Sequence, residues 1–218
     1  RRLGLSHAKG SGVIFVGADR WVIDVARALE EEDQAVLLVD TNYGNIKQAR
    51  LAGLQTHRGN ILSDIVEEDL ELTGIGNLLA VTTNDEVNSM AVHEFTHQFG
   101  SAHVFQLRPK VDDAGIERDR APEHFRGRFA FSGKPTTGDV HQLASRGFVV
   151  KKTDLTKQFS IDDFHSVHGE EAMVLFVVHP GGALEVFCGG SGHEWKSGQT
   201  VIALVPPPPL EQAQKPKP

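Results

Sequence analysis

The chain has 218 residues, of which 39% are hydrophobic and 23% charged, and this composition predicts a soluble globular protein with one large or two small domains. Its formal charge of −7 argues against a nucleic-acid partner, because phosphate binding needs clustered Lys and Arg side chains. The single cysteine, Cys188, allows no internal disulfide and favours a reducing compartment, and no apolar run approaches the roughly 20 residues that span a bilayer.

Apolar runs alternate with helical patterns over residues 12–109, which is typical of a parallel sheet with helices on both faces. The runs are mostly unbroken, as expected for strands that are buried on both sides. We predict strands at Val13–Val16, Ala35–Val39, Leu54–His57, Leu78–Val81 and His103–Leu107. The predicted fold class is therefore α/β, a Rossmann-like parallel sheet with helices on both faces, in a domain that spans residues 12–109.

Polar residues that cap helices stand between these strands. Thr41 or Asn42 can cap the second helix, and Ser63 can cap a third. Asn84 can cap a fourth helix, whose first turn is acidic and suits the positive end of a helix.

The pattern changes after Pro109. Residues 110–135 are charged and irregular and predict a connector, and residues 136–206 predict a small β-rich module that begins with a short helix. Four strand-like runs follow this helix, at Phe148–Val150, Ala172–His179, Leu184–Cys188 and Thr200–Val205. We interpret residues 1–11 as an N-terminal linker and the Pro-rich residues 207–218 as a disordered tail.

Residues 17–22 read GADRWV and stand where a dinucleotide-binding fold carries its G-x-G-x-x-G loop. Gly17 permits the tight turn out of the first strand. Asp19 replaces the glycine that lets the backbone approach a pyrophosphate, and its carboxylate would repel phosphates or accept a hydroxyl. Val22 replaces the glycine that lets the helix pack closely. Arg20, near the positive end of the helix, can attract a phosphate.

Asp40 ends the second strand, 23 residues after Gly17, and is placed to accept hydrogen bonds from ribose hydroxyls. The segment Gly59–Asn60 follows the third strand and borders the base, and polar residues follow the fourth strand at the edge where such folds bind ligands. The predicted cofactor-binding residues are Gly17, Ala18, Asp19, Arg20, Asp40, Thr41, Asn60, Ile61, Thr82, Thr83 and Asn84.

The chain resembles the TrkA-N domain, also called RCK or KTN, in four segments: VIFVGADRWVIDVARAL, VLLVDTNYGNIKQARLAGL, THRGNI and LLAVTTNDEVNSMAV. The likeness is close over residues 12–108, and it is nearest to the version attached behind sodium or potassium:proton antiporters. Residues 128–206 resemble, more loosely, the small β-rich C-terminal module that follows in these antiporters.

The resemblance implies a regulatory domain on the cytoplasmic face of the inner membrane that pairs into homodimers and binds NAD(H) or AMP, ADP or ATP. It implies control of ion transport by a transmembrane antiporter domain of the same full-length protein. It assigns the glycine loop to residues 17–22, the ribose acid to Asp40 and the base-flanking pair to Gly59 and Asn60. Asp19 and Asn60 depart from the family pattern, which makes a mononucleotide at least as good a candidate as NAD.

Residues 93–103 read HEFTHQFGSAH and match the zinc-protease signature H-E-x-x-H-x-x-G-x-x-H in full. In that interpretation His93, His97 and His103 bind zinc, and Glu94 is the general base. The apolar residues of the same segment recur at helical spacing and should face the sheet, which puts His93 and His97 on the opposite, solvent-facing side. We therefore expect surface histidines that bind metal adventitiously at most.

Three alternatives to a nucleotide sensor stay open. A nicotinamide-dependent oxidoreductase would need an acid or base beside the nicotinamide, and the β-rich module offers no recognisable one. A zinc metalloprotease would use the histidine segment. The third alternative is a domain whose site has decayed and which only dimerises. Because no nucleophile–base pair stands out near the predicted site, we expect a sensor without catalytic or metal-binding residues.

Overall fold

The computed structural model describes residues 10–63, 71–110, 127–190 and 193–207. Ten strands and five helices lie within these ranges. The predicted helix after Ser63, residues 1–9 of the predicted linker, residues 111–126 of the predicted connector and the predicted tail from residue 208 onward lie outside the described residues.

The first part of the chain forms a parallel sheet of six described strands in the order β3-β2-β1-β4-β5-β6. The strands are β1 (Gly12–Val16), β2 (Val36–Asp40), β3 (Thr56–Arg58), β4 (Ile75–Ala80), β5 (Val104–Gln106) and β6 (Arg128–Phe129). The strand order reverses between β1 and β4, and the loops that diverge at such a point leave a crevice at the carboxyl ends of the strands. The predicted α/β fold class is confirmed.

Both faces of this sheet are covered, which explains why its central strands are unbroken apolar runs. Val13 and Phe15 of β1 pack into one layer of the core, and Ile14 and Val16 pack into the other. The helices are α1 (Arg20–Glu30), α2 (Tyr43–Leu51) and α3 (Asp85–Phe99). The apolar side of α1 joins the first layer and that of α3 joins the second. No helix in the described ranges is long and apolar enough to cross a membrane.

The edge strand β6 corrects the predicted connector at residues 110–135. Arg128 and Phe129 pair in parallel with β5, and the two residues that follow, Ala130 and Phe131, are completely buried. The strand was missed because two residues between charged neighbours carry no periodic signal.

The second part of the chain forms an antiparallel sheet of four described strands in the order β7-β10-β8-β9, which confirms the predicted β-rich module. Its elements are α4 (Thr137–Ser145), β7 (Val149–Asp154), α5 (Ile161–His168), β8 (Met173–Val178), β9 (Leu184–Val186) and β10 (Thr200–Val205). The helix α5 follows a capping box formed by Ser160 and Asp163.

One hydrophobic core connects the two sheets. The ring of Phe131 lies edge-on to Phe176 of β8 at 5.8 Å and to Trp21 of α1 at 6.3 Å, and Phe15 of β1 lies 6.1 Å from Phe176. These contacts hold the second part of the chain against the first.

Candidate functional site

A cavity of about 460 Å³ opens at the carboxyl ends of β1, β2 and β4. Its lining includes nine of the eleven predicted site residues: Gly17, Asp19, Asp40, Thr41, Asn60, Ile61, Thr82, Thr83 and Asn84. The lining also includes Val16, Val39, Asn42, Asn45, Gly59 and Val87. The structure therefore brings together residues from four separate loops at the switch point of the sheet, where ligands bind in folds of this class.

Gly17 forms the tight turn between β1 and α1. Its φ angle is +109°, a backbone conformation that side chains disfavour. A Cβ atom at position 17 would lie 3.3 Å from the backbone nitrogen of Thr82. The close approach of the loop after β4 is therefore a second reason for glycine at position 17. The Gly17 amide donates a hydrogen bond of 2.8 Å to the carbonyl of Val39, which fixes the turn beside the end of β2.

Asp40 receives three hydrogen bonds from its own chain. Its Oδ2 atom accepts from the amide of Ala18 at 2.9 Å and from Nδ2 of Asn45 at 2.9 Å, and its Oδ1 atom accepts from the amide of Asn42 at 2.8 Å. A carboxylate offers about four acceptor positions, so one remains on Oδ1. Ala18 does not line the cavity; its backbone orients Asp40.

Asp19 is held from two sides. Its Oδ2 atom lies 2.9 Å from Nε2 of His141, which projects from α4, and its Oδ1 atom accepts from Nδ2 of Asn45 at 3.3 Å. Asn45 therefore bridges the carboxylates of Asp19 and Asp40. The sequence analysis predicts neither partner of Asp19. Asn45 could have been predicted, because it is a polar residue in the first turn of the helix that follows Asp40. His141 could not, because no motif near it in the sequence points to Asp19.

The structure places Arg20 outside the cavity. Its Nε atom lies 3.2 Å from the carboxylate of Asp24, one helical turn along α1, and 78% of its side chain is exposed. The ion pair directs the guanidinium along the helix surface, away from the position that the sequence analysis predicts for a phosphate.

The loop after β4 is fixed by a buried amide that the sequence analysis missed. Asn88 is completely buried, accepts a hydrogen bond of 2.9 Å from the amide of Thr82 and donates one of 2.9 Å to the Thr82 carbonyl. The same carbonyl accepts from Thr137 of α4 at 3.1 Å. Asn84 caps α3 as predicted, accepting from the amides of the second and third residues of the first turn.

The lining of the cavity contains both polar and apolar residues. Carboxylates, amides and hydroxyls stand beside four aliphatic residues, Val16, Val39, Ile61 and Val87. None of the described lining residues is Lys or Arg. Such a site suits a ligand with hydroxyl groups and a flat apolar ring.

Residues 13–107, which are less than half of the chain, match the model of the TrkA-N domain. The matched residues include all those that line the cavity, while α4, from outside this range, holds Asp19 and Thr82.

Among solved structures, the chain is similar to the NAD(P)-binding domain of an exopolyphosphatase-related protein from Archaeoglobus fulgidus (18% identity, TM-score 0.39, covering 48% of this chain and 80% of that one). It is similar to the TrkA-N domain of the inner membrane protein ybaL from Escherichia coli (14% identity, TM-score 0.40, covering 44% and 72%). It is also similar to the GsuK channel bound to NAD (10% identity, TM-score 0.43, covering 93% and 38%). No curated protein matches the chain.

The histidine segment lies inside the range that matches the TrkA-N domain and does not form a zinc site. His93 and His97 are exposed on α3, whereas His103 lies beyond the helix with its Nδ1 atom 3.0 Å from Oδ1 of Asn77. In the described parts of the chain, no group of three or more His, Cys, Asp or Glu side chains is placed to hold a metal ion. The zinc-protease interpretation therefore lacks its ligand set.

Proposed function

We propose that this chain is a regulatory unit that senses a ligand containing adenosine, either an adenine nucleotide (AMP, ADP or ATP) or NAD(H). The observation that carries the proposal is the Asp40 carboxylate, oriented at the cavity by the amides of Ala18 and Asn42 with one acceptor position remaining on Oδ1. A ribose hydroxyl is the natural donor to that position. The match of residues 13–107 to the TrkA-N domain supports the same assignment.

The cavity suggests the orientation of this ligand. With the ribose on Asp40, we place the base beside Ile61, which lines the cavity and is 97% buried. The 5′ end of the ribose then points toward Gly17 and the N-terminus of α1, where Asp19 is the N-cap residue.

The regulated partner in this proposal is a transmembrane antiporter domain for monovalent cations, to which the chain is joined on the cytoplasmic face of the membrane. Two copies of the chain pair, and the ligand prefers one arrangement of the pair, so that its binding shifts the population of that arrangement. The proposal includes no turnover.

Calorimetric titration with NAD, NADH, AMP, ADP and ATP tests the binding step. We expect saturable binding of at least one of them to the wild-type chain and its loss in Asp40→Ala. Asp33→Asn is the matched control. Asp33 is an exposed carboxylate that precedes β2, so it lies at the amino ends of the strands, whereas the cavity lies at their carboxyl ends. Equal affinity of the wild-type and Asp40→Ala chains would overturn the ribose assignment.

Cation:proton exchange by the full-length protein in everted membrane vesicles tests the regulatory step. The expected result is that a ligand found by calorimetry changes the exchange rate in the wild-type protein and not in Asp40→Ala. An unchanged rate in the presence of a bound ligand would contradict control of transport.

A further inference from the structure

We infer that the cavity discriminates against pyrophosphate, so that among ligands containing adenosine the affinity falls with each added phosphate and is highest for a nucleoside with an uncharged 5′ end. The inference rests on the adenosine site of the proposed function and ranks the ligands of that site. Asp19 is the specificity-determining residue, because its carboxylate occupies the place that the phosphates of a nucleotide would take.

The position of Asp19 is fixed rather than accidental. It lines the cavity at the N-cap of α1, where the backbone of a dinucleotide-binding loop meets the pyrophosphate. Asn45 and His141 hold one oxygen each of its carboxylate, so the group cannot turn away from an incoming phosphate without losing both contacts. A carboxylate at a helix N-terminus also supplies the negative charge that this end of the helix would otherwise take from a ligand.

The side chain against Asp19 is an imidazole, that of His141 at 2.9 Å, and no Lys or Arg stands among the described residues that line the cavity. Arg20, which stands next to Asp19, is paired with Asp24 and lies outside the lining. The described lining therefore carries two carboxylates, Asp19 and Asp40, and no Lys or Arg. Each phosphate charge added to a ligand would face these two negative charges at short range, where Coulomb repulsion is only partly screened.

A nucleoside meets none of this repulsion. One ribose hydroxyl can donate to the remaining position on Asp40, and the 5′ hydroxyl can donate to Asp19, because a carboxylate that accepts two hydrogen bonds still has acceptor positions. The neutral ligand therefore gains hydrogen bonds at both carboxylates, whereas a diphosphate gains them only at Asp40.

Calorimetric titration of the chain with adenosine, AMP, ADP and NAD tests the inference. We expect adenosine to bind the wild-type chain at least about tenfold more tightly than ADP or NAD, with AMP between them. Asp19→Asn removes the charge and keeps the shape of the side chain. In this variant the ratio of the adenosine affinity to the ADP or NAD affinity should fall below about tenfold. Asp19→Gly, which introduces the second glycine of the G-x-G-x-x-G loop, should lower the same affinity ratio. Either variant alone is enough for the test if the other fails to fold. Asp33→Asn should keep the wild-type order.

The outcomes separate this inference from the proposed function. Wild-type binding of ADP or NAD as tight as that of adenosine would overturn the inference and leave the sensor proposal standing. If the ratio of the adenosine affinity to the ADP or NAD affinity is the same in both Asp19 variants as in the wild type, the assignment of specificity to Asp19 is wrong. If neither adenosine nor any nucleotide binds the wild-type chain or the variants, the proposed function itself fails.

Discussion

The carboxylate of Asp40 joins the glycine turn after β1 to the start of α2. It accepts hydrogen bonds from the amide of Ala18 in the glycine turn, and from the amide of Asn42 and the side chain of Asn45 at the start of α2. Hydrogen bonds to a charged acceptor are stronger than those between neutral groups. Asp40 therefore organises the loops of the cavity before any ligand arrives.

Removing this carboxylate should destabilise the fold as well as weaken binding. We expect Asp40→Ala to lower the free energy of unfolding by about 1.5–3 kcal/mol, the usual range for lost hydrogen bonds to a charged group. Urea denaturation followed by circular dichroism measures the change. Asp24→Ala, which loses only an exposed ion pair with Arg20, should cost less than about 1 kcal/mol. Equal losses in the two variants would show that Asp40 does not organise the loops.

The sequence predicts the residues that act next to their own strand and misses those that reach across the fold. Gly17 and Asp19 stand within three residues of the end of β1, and Asp40 ends β2, so their place at the carboxyl ends of the strands can be derived from the strand pattern alone. His141 lies 122 residues from its partner Asp19, and only tertiary packing brings the two together. The prediction for Arg20 used its position and could not foresee the competing carboxylate of Asp24.

At the scale of elements, α4 connects the second sheet to the cavity. Its first turn is fixed by a capping box, in which Asp139 accepts from both the amide and the hydroxyl of Thr136, at 2.7 and 2.8 Å. The helix then places Thr137 against Thr82 and His141 against Asp19. This helix therefore contacts two of the loops that line the cavity.

The capping box predicts a defined pH dependence. The hydrogen bond from the Thr136 amide, followed by that from its hydroxyl, lowers the pKa of Asp139 below its ordinary value of 3.8. Because the folded pKa is depressed, the stabilisation is present above the unfolded pKa of about 3.9 and is lost as pH falls through the folded pKa. We expect Asp139→Asn to be less stable than the wild type at pH 7, and this difference to shrink below pH 4. Thermal unfolding at both pH values measures it; a difference that grows in acid would contradict this origin.

Two elements show why the sequence reading was incomplete at this scale. The strand β6 has two residues, too few for any period to be visible, and it exists because β5 offers a free edge in the described sheet. The helix α5 begins after its N-cap residue Ser160, and Asp163 is the third residue of the helix. This spacing is typical of a capping box, so the start of α5 could have been predicted from the sequence. Long periodic segments such as α1 were recognised because their apolar stripe repeats over three turns.

In the whole molecule, the two sheets pack against one common hydrophobic core. Phe131 stands between them, completely buried, with its ring against Trp21 of the first part and Phe176 of the second. The predicted division into a domain, a connector and a module follows composition, and composition does not reveal that the residues after the charged segment return to the core.

A shared core should make the molecule unfold as one cooperative unit. Trp21 packs in the first part, and Trp195 packs against Phe187 in the second, so single-tryptophan variants (Trp21→Phe and Trp195→Phe) report on each part separately. We expect the two fluorescence transitions in urea to coincide, and Phe131→Ala to lower the free energy of unfolding by about 3–5 kcal/mol in both. A separate, earlier transition of the Trp195 signal would contradict a common core.

We propose that an adenosine-containing ligand binds at the carboxyl ends of the parallel strands through Asp40. An amide chemical-shift titration of the ¹⁵N-labelled chain with adenosine and AMP tests this directly. We expect the largest shifts at Ala18, Asn42 and Gly59, and we expect them to disappear in Asp40→Ala. Shifts that instead cluster around His93 and His97 on α3, or no shifts with either ligand, would contradict it.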